Sequence, residues 1–245
     1  MTGFIGLFAC IIFIWFLIYP LPDLYGRFSG SVLRRTANPS MVGLTFDDGP
    51  DPRYTPAILD ILQEYHVTAT FFVVGRQAEA HPEIIRRIRD EGHELALHTQ
   101  NHRHAYTLLL KTYQEISACQ STVQKIAKVK PHWLRPPWGA FNALLLPAVY
   151  RCGLSPVLWS CNADDWLIAT GSEGVRRLIG QRIHPGAIIV LHDHGGEDGA
   201  PANTVKALPQ ILADLSQSKL KPVSLSQLYM GTKDNNVVYK EEHSA

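Results

Sequence analysis

The chain has 245 residues, 46% of them hydrophobic and 18% charged, and a formal net charge of +1. That length accommodates one large α/β domain or two small ones with a real core, and the balanced charge, without a long run of one sign, gives no support for a nucleic-acid surface. Cys10, Cys119, Cys152 and Cys161 have no CxxC spacing, so they make neither a disulfide framework nor a zinc knuckle and read as buried thiols suited to a reducing compartment.

Residues 3–19 carry no charge and are dominated by Phe, Ile, Leu and Trp, after which Pro20, Leu21 and Pro22 interrupt the pattern. About seventeen apolar residues stand at the short end of a bilayer-spanning helix, with Leu21 and Leu24 available to extend it. A cleaved signal peptide is the competing expectation, but no Lys or Arg precedes the run and no small-x-small site directly follows it. The expectation is a transmembrane anchor over 3–19, single-pass and retained. Arg27, Arg34 and Arg35 follow the segment; by the positive-inside rule they lean the main domain towards the cytoplasm, a sidedness that stays open here. Residues 20–40, with Gly, Ser, Asn and Pro after Arg27, read as a linker.

Beyond residue 40, apolar strand-like runs alternate with amphipathic helical ones. A strand over 41–46 delivers Asp47 and Asp48 to a stop at Gly49 and Pro50. Thr55 caps and Pro56 opens a helix whose apolar face is Ile58, Leu59, Leu62 and Tyr65. A β-branched and aromatic strand at 68–74, a helix at 82–90 and a strand at 94–98 follow. Leu109, Tyr113, Ile116, Val123 and Ile126 lie at helical spacing within 108–128. A short strand at 132–134 runs into Arg135-Pro136-Pro137, and then come a helix near 142–151 and a strand at 155–160. The chain continues with a helix near 172–183, a very apolar strand at 187–191, a helix at 203–216 and a last strand at 221–225 leading into a short helix to Tyr229. The tail, 231–245, is polar and reads as mobile.

Strands joined by crossover helices imply a parallel sheet, doubly wound or closed as a barrel. Seven strands favour an α/β fold of the distorted or incomplete (β/α) barrel type, and no GxGxxG follows the first strand to support a dinucleotide-binding sheet. The expected organisation is an anchor, a linker, one domain over 41–230 and the tail.

The reactive residues fall at strand ends. Asp47 and Asp48 end the first strand, and His98 ends the third with His102 just beyond. Arg135 follows the fourth strand, Asp165 the fifth, and His192 with Asp193 ends the apolar sixth. In a (β/α) barrel these ends share one rim, where active sites lie. Adjacent side chains on extended backbone point to opposite sides, so Asp47 and Asp48 are expected to divide two roles, one holding a cation and the other taking a proton. His98 and His102 are four apart and can face one cation from a single helical turn. The spacing is that of metalloprotease helices, although Thr99 stands where those carry a Glu. Two His and one Asp make a ligand set known for catalytic zinc with an open position, and equally for non-haem iron(II). Hydrolysis also needs a base, for which Asp47 is the carboxylate left over, and a donor to the leaving group, for which His192 is best placed. Arg135 can pair with Asp47 and keep it ionised.

These residues stand in motifs that resemble the polysaccharide deacetylases with a NodB-homology domain, carbohydrate esterase family 4. The motifs occur in order: Thr45-Phe46-Asp47-Asp48-Gly49, His98-Thr99-Gln100-Asn101-His102, Arg135-Pro136-Pro137-Trp138-Gly139, Asp165-Trp166 and Val190-Leu191-His192-Asp193. Thr70-Phe71-Phe72-Val73-Val74-Gly75 and Gly92-His93-Glu94 also fit, and the resemblance covers roughly 41–229. It implies that Asp48, His98 and His102 bind a divalent metal, usually zinc and sometimes cobalt or another ion. It implies Asp47 as general base steadied by Arg135, and His192 as general acid oriented by Asp165. The Trp138 main-chain N–H is implied as an oxyanion donor, and Trp166 and Val190 as the lining for an acetyl methyl group. The implied reaction releases acetate from an N-acetylated sugar in a glycan or a lipid-linked saccharide.

Three positions depart from the family's common pattern. Asn162 stands where an Asp is frequent, Trp138 replaces a Tyr, and Val190 replaces a Leu; Asp164 beside Asp165 leaves the fourth motif open to a shift of one residue. These departures bear on substrate more than on reaction, since one methylene in an acyl pocket shifts selectivity only about tenfold. His66, His81 and His184 are expected on the far side from the rim, His93 and His132 to be structural, and His104 and His194 to stand near the rim. Two other readings use the same residues: a non-haem iron oxygenase, which leaves Asp47 and His192 without a task, and an inactive membrane-tethered glycan-binding module, although no ligand or base is missing.

Overall fold

A computed structural model describes residues 2–107 and 109–233. The apolar N-terminus forms α1 (Thr2–Ile18), and after a break at Tyr19 the chain continues as α2 (Pro20–Phe28). The stretch Leu7–Phe28, 22 residues, is long and apolar enough to cross a membrane by length and composition. Eight strands follow: β1 (Met41–Asp47), β2 (Thr70–Val73), β3 (Glu94–Leu97), β4 (Trp133–Leu134), β5 (Ser155–Pro156), β6 (Cys161–Asn162), β7 (Ile188–His192) and β8 (Lys221–Val223). Between them lie α3 (Thr55–Glu64), α4 (Gly75–Ala80), α5 (Pro82–Asp90), α6 (Thr112–Ala127), α7 (Leu145–Arg151), α8 (Gly171–Arg182) and α9 (Pro201–Gln217), and α10 (Leu225–Lys233) follows β8.

All the strand pairings are parallel, in the order β5-β4-β3-β2-β1-β7-β6, with β8 beside the first half of β1. β5 and β6 are the two ends of this path and do not pair, so the barrel stays open there. The cause is the run expected as one strand over 155–160. Its first two residues pair with β4, the chain then crosses the gap, and Cys161–Asn162 pairs with β7.

Period-two alternation sorts each strand into an outer and an inner face. On β1, Val42, Leu44 and Phe46 join the large core beneath the helices, with Phe71 and Val73 of β2, Leu95 and Leu97 of β3, and Ile189 and Leu191 of β7. The alternate residues point into the barrel, where Phe72, Ala96, Trp133 and Ile188 pack with Val223, Leu225 and Leu228 as a smaller core. Leu225 and Leu228 reach the barrel floor because Gly43 has no side chain; a Cβ there would meet them at 3.1 and 3.2 Å. Cys119 and Cys161 are fully buried, and burial pushes each thiol up to about 12, so both are inert packing groups.

The expected linker is largely part of the domain. Part of it is α2, and beyond that Leu33 bridges to Val157 and Arg35 to Ala187, so this segment spans the open side of the barrel. Phe141 donates its N–H to Asp23 Oδ1 at 2.9 Å, and Ala143 donates to the Ile18 carbonyl at 2.9 Å. Three other expectations shift. The helix expected from 108 begins at Thr112 after a short 3-10 turn, with Leu108 outside the described residues; the helix near 142 begins at Leu145, because Asn142 first makes a turn in which its Oδ1 accepts the Leu144 N–H. Of the polar tail, 231–233 belongs to α10, and the remainder lies outside the described residues.

α2 packs on the domain at Gly26, where a Cβ would overlap the Phe141 ring. Gly26→Val should therefore cost about 1–3 kcal/mol through overpacking, read as a lower urea midpoint of the detergent-solubilised protein. An unchanged midpoint would show that α2 is not seated on Phe141.

Candidate active site

The pocket at the C-terminal ends of the strands has a volume of about 610 Å3 and is bordered by Asp47, Asp48, His98, His102, Trp138, Trp166, Val190 and His192. These residues come from the ends of β1, β3, β4, β6 and β7, the placement that strand-end position predicts for a parallel barrel.

Asp47 is the last inward residue of β1 and is buried. Arg135, also fully buried, donates from Nη1 to Asp47 Oδ1 at 2.5 Å and to Thr45 Oγ1 at 2.8 Å, and from Nη2 to the Leu158 carbonyl at 3.2 Å. Its guanidinium lies 4.0 Å from the Phe72 ring centroid. Burial pulls the Arg135 pKa below its ordinary value, and the Asp47 charge opposes that shift.

Asp48 does not follow strand alternation. Its φ of 78° lies in the left-handed region, and this turn brings its side chain back to the pocket beside Asp47 instead of sending it to the opposite face. The turn has a fixed support: Asp193 Oδ1 accepts the Gly49 N–H at 3.1 Å and Asp193 Oδ2 accepts the Thr55 hydroxyl at 2.6 Å. Any Cβ on Gly49 would overlap the Asp193 carboxylate. Burial pushes Asp193 up to about 7, with Thr55 pulling the other way.

His98 and His102 do not share a helical turn. The intervening chain is irregular, with Thr99 at φ 67° and His102 at φ 49°. The two rings nonetheless converge: Asp48 Oδ1 is 3.2 Å from His98 Nε2 and 2.9 Å from His102 Nε2, and the three ligand atoms lie within 4.8 Å of one another. Burial works to raise the Asp48 pKa, but the contacts from His102 and His98 and the His192 charge hold it well below the usual carboxylate range.

The donor set fits a divalent cation. The Arg135 carbonyl, 2.7 Å from His98 Nδ1, can only accept, so Nδ1 carries the proton. In the neutral ring Nε2 is then a lone pair aimed at a carboxylate oxygen, an arrangement of two acceptors that a cation between them relieves. Such an outer partner fixing the tautomer is common at metal-ligating histidines.

His192 Nδ1 donates to Asp165 Oδ1 at 2.9 Å, while Asp165 Oδ2 accepts from His192 N at 2.7 Å and from Thr204 Oγ1 at 2.6 Å. Of the Asp-Asp pair, Asp165 meets His192, whereas Asp164 binds Arg182 and Asn162. Burial disfavours the charged His192 ring, but Asp165, with Asp48 and Asp47 behind it, outweighs burial and pushes its pKa up to about 10. Trp166 stands edge-on to His192 at 5.6 Å, and Val190 is buried in the pocket wall. Trp138, at φ 56° and 53% exposed, covers His102 at 4.5 Å and His104 at 5.2 Å between ring centroids. Its N–H meets no acceptor among the described residues.

Trp159 and Gln77 carried no sequence signal, while His194 stands at the rim as expected. Trp159 borders the pocket from the broken fifth strand, and Gln77 and His194 form a rim network in which His194 Nδ1 donates to Asp51 Oδ2 at 2.9 Å and Gln77 Nε2 donates to His194 Nε2 at 2.8 Å. Asp193 was visible in its motif without a role, because its partners Gly49 and Thr55 are about 140 residues away.

The sequence model of the polysaccharide deacetylase family matches residues 34–157. A peptidoglycan-N-acetylglucosamine deacetylase of Bacillus cereus is 36% identical over 194 residues, 78% of this chain and 89% of the relative. A chitooligosaccharide deacetylase of Azorhizobium caulinodans is 35% identical over 196 residues, 76% and 93% of the two chains. The crystal structure of a peptidoglycan N-acetylglucosamine deacetylase superposes with a TM-score of 0.75 at 31% identity, covering 80% of this chain and 91% of the other.

Two tests follow. Arg135→Met leaves a buried Asp47 carboxylate without its counter-charge and should cost about 3–5 kcal/mol in urea unfolding, most of which adding Asp47→Leu restores; equal losses in the single and double variants would deny the coupling. Because the folded-state pKa of His192 is raised, its protonation contributes stability that is fully present below the ordinary imidazole pKa and is lost as pH rises towards about 10. Asp165→Asn should bring the His192 midpoint down towards neutrality in an NMR titration of metal-free protein, and an unmoved midpoint would contradict the pairing.

Proposed function

This chain belongs to the polysaccharide deacetylase family, and we infer that it is a metal-dependent hydrolase removing N-acetyl groups from an amino sugar, in a glycan or in a lipid-linked saccharide. The observation that carries the reading is the convergence of the Asp48, His98 and His102 ligand set with a separate carboxylate and a separate imidazole in one pocket. Relatives that act on peptidoglycan and on chitooligosaccharides support N-acetylated glycans as the substrate class. We assign the catalytic residues to a hydrolytic domain over 41–230, onto which α2 and the segment after it pack, and a single-pass anchor to 3–19, the apolar stretch being compatible with a membrane span.

Asp48, His98 and His102 would hold the metal, for which we propose zinc because two imidazoles and one carboxylate with an open position suit it. When bound, the ion supplies Lewis acidity to the amide carbonyl and to the attacking water. Asp47 takes the proton from that water. Arg135 supplies its counter-charge and holds the carboxylate in place inside the buried site. The Trp138 main-chain N–H, which donates to no acceptor among the described residues, is the donor we assign to the developing oxyanion. Val190 and Trp166 form the apolar wall for the acetyl methyl group. His192 gives its proton to the departing amine nitrogen, so one C–N bond breaks and acetate and a free amine leave. Asp165 holds Nδ1 and leaves Nε2 as the donating atom.

The decisive variant is Asp47→Asn, which keeps the shape and removes the proton acceptor. Acetate release from N-acetylglucosamine oligomers should fall by roughly 10²–10⁴-fold, with bound metal unchanged by elemental analysis. Full activity in that variant would refute the mechanism.

A further inference from the structure

The loop after β4 that carries Trp138 also carries the attachment of the apolar helix. Ala143 donates its N–H to the carbonyl of Ile18, the last residue of α1, and Phe141 donates to Asp23 Oδ1 on α2, both at 2.9 Å. Gly26 lies directly against the Phe141 ring, and Arg34 Nη2 donates to the Gly26 carbonyl at 2.6 Å. Two contacts from Phe141 to α2, one from Ala143 to the end of α1 and one from Arg34 back to Gly26 make α2 a fixed part of the domain and not a flexible tether.

This fixes how far the pocket stands from the end of the apolar helix. Trp138 and Ala143 are five residues apart, and that much chain spans at most ~17 Å even when fully extended. With α1 in a bilayer, the pocket mouth is held within about 20 Å of the helix end, close to the headgroup layer, which itself extends only ~5–8 Å beyond the hydrocarbon. The surface around the junction matches that position: Leu21, Leu24, Tyr25, Leu110, Leu144 and Tyr150 are exposed apolar side chains. An apolar groove of about 550 Å3, walled by Leu21, Tyr25, Leu146 and Tyr150, opens between α2 and α7. It begins beside the end of α1, since its lining includes Leu21 and also Ala143, whose N–H binds the Ile18 carbonyl, and it offers a lipid chain an apolar berth next to the bilayer.

We propose that the substrate is an N-acetylated amino sugar carried on a membrane lipid, with its chain along this groove and its sugar in the pocket. The proposal rests on the deacetylase reading above and on α1 lying in a bilayer. A pocket held within that distance of the bilayer meets lipid-borne sugars concentrated near its own height, an advantage that a soluble or wall-borne glycan does not share.

The test uses the full chain, loaded with zinc, in lipid nanodiscs, whose two faces are both accessible. Two probes are compared by acetate release: N-acetylglucosamine joined through phosphate to a polyisoprenyl chain in the same discs, and a water-soluble N-acetylglucosamine tetramer. The lipid-borne probe should have a kcat/KM roughly tenfold or more above that of the tetramer. A flexible Gly/Ser insertion of roughly twenty residues between Tyr19 and Pro20 should lower that advantage at least threefold and leave the tetramer rate unchanged. Equal or faster turnover of the tetramer would overturn the lipid-borne substrate while leaving the deacetylase standing. An advantage unaffected by the insertion would overturn the role of the fixed height. No acetate from either probe would overturn the deacetylase reading and this proposal with it.

Discussion

The buried guanidinium of Arg135 is the constraint on which the site depends. Its side chain joins Thr45 and Asp47 of β1 to the Leu158 carbonyl across the barrel interior. Its own carbonyl fixes the His98 tautomer, and its N–H continues the sheet to Leu97. One residue thus holds the carboxylate proposed as base and orients one proposed metal ligand. Such a cation is costly to bury unless paired and hydrogen-bonded, and the Asp47 contact, the Thr45 hydroxyl and the stacked Phe72 supply that compensation.

Backbone strain gathers around the same rim. Asp48, Thr99, His102 and Trp138 all have positive φ without being glycine, and Thr99 is β-branched. Each costs on the order of 1–3 kcal/mol and persists only where the surroundings over-determine it. Here the Asp193 carboxylate pins the Asp48 turn, and the Gly75 and Arg76 N–H groups bind the Thr99 and Gln100 carbonyls. The cost places side chains where regular strand or helix geometry would not.

The open side of the barrel ties the pocket to the N-terminus. A fully paired strand across 155–160 would have closed the sheet and left the preceding segment free. Because that run breaks, Leu33 and Arg35 bridge the gap, and α2 settles on Phe141 next to the loop that carries Trp138. The same irregularity brings Trp159 to the pocket.

The parallel α/β barrel and the family are legible in local patterns, strand–helix alternation and motifs at strand ends, and the same patterns nominate the residues of the candidate site through acidic and imidazole groups at those ends. The sequence by itself did not determine how those groups are held. Strand alternation was the wrong guide for Asp48, and a helical turn the wrong one for His98 and His102, because positive-φ backbone at single residues leaves no periodic trace. Asp193 supporting Gly49, Thr204 supporting Asp165, and the docking of α2 are contacts between distant segments, and only tertiary packing brings such partners together. The choice of Asp165 over its neighbour Asp164 was decided in the same way, by which carboxylate the fold turns towards His192.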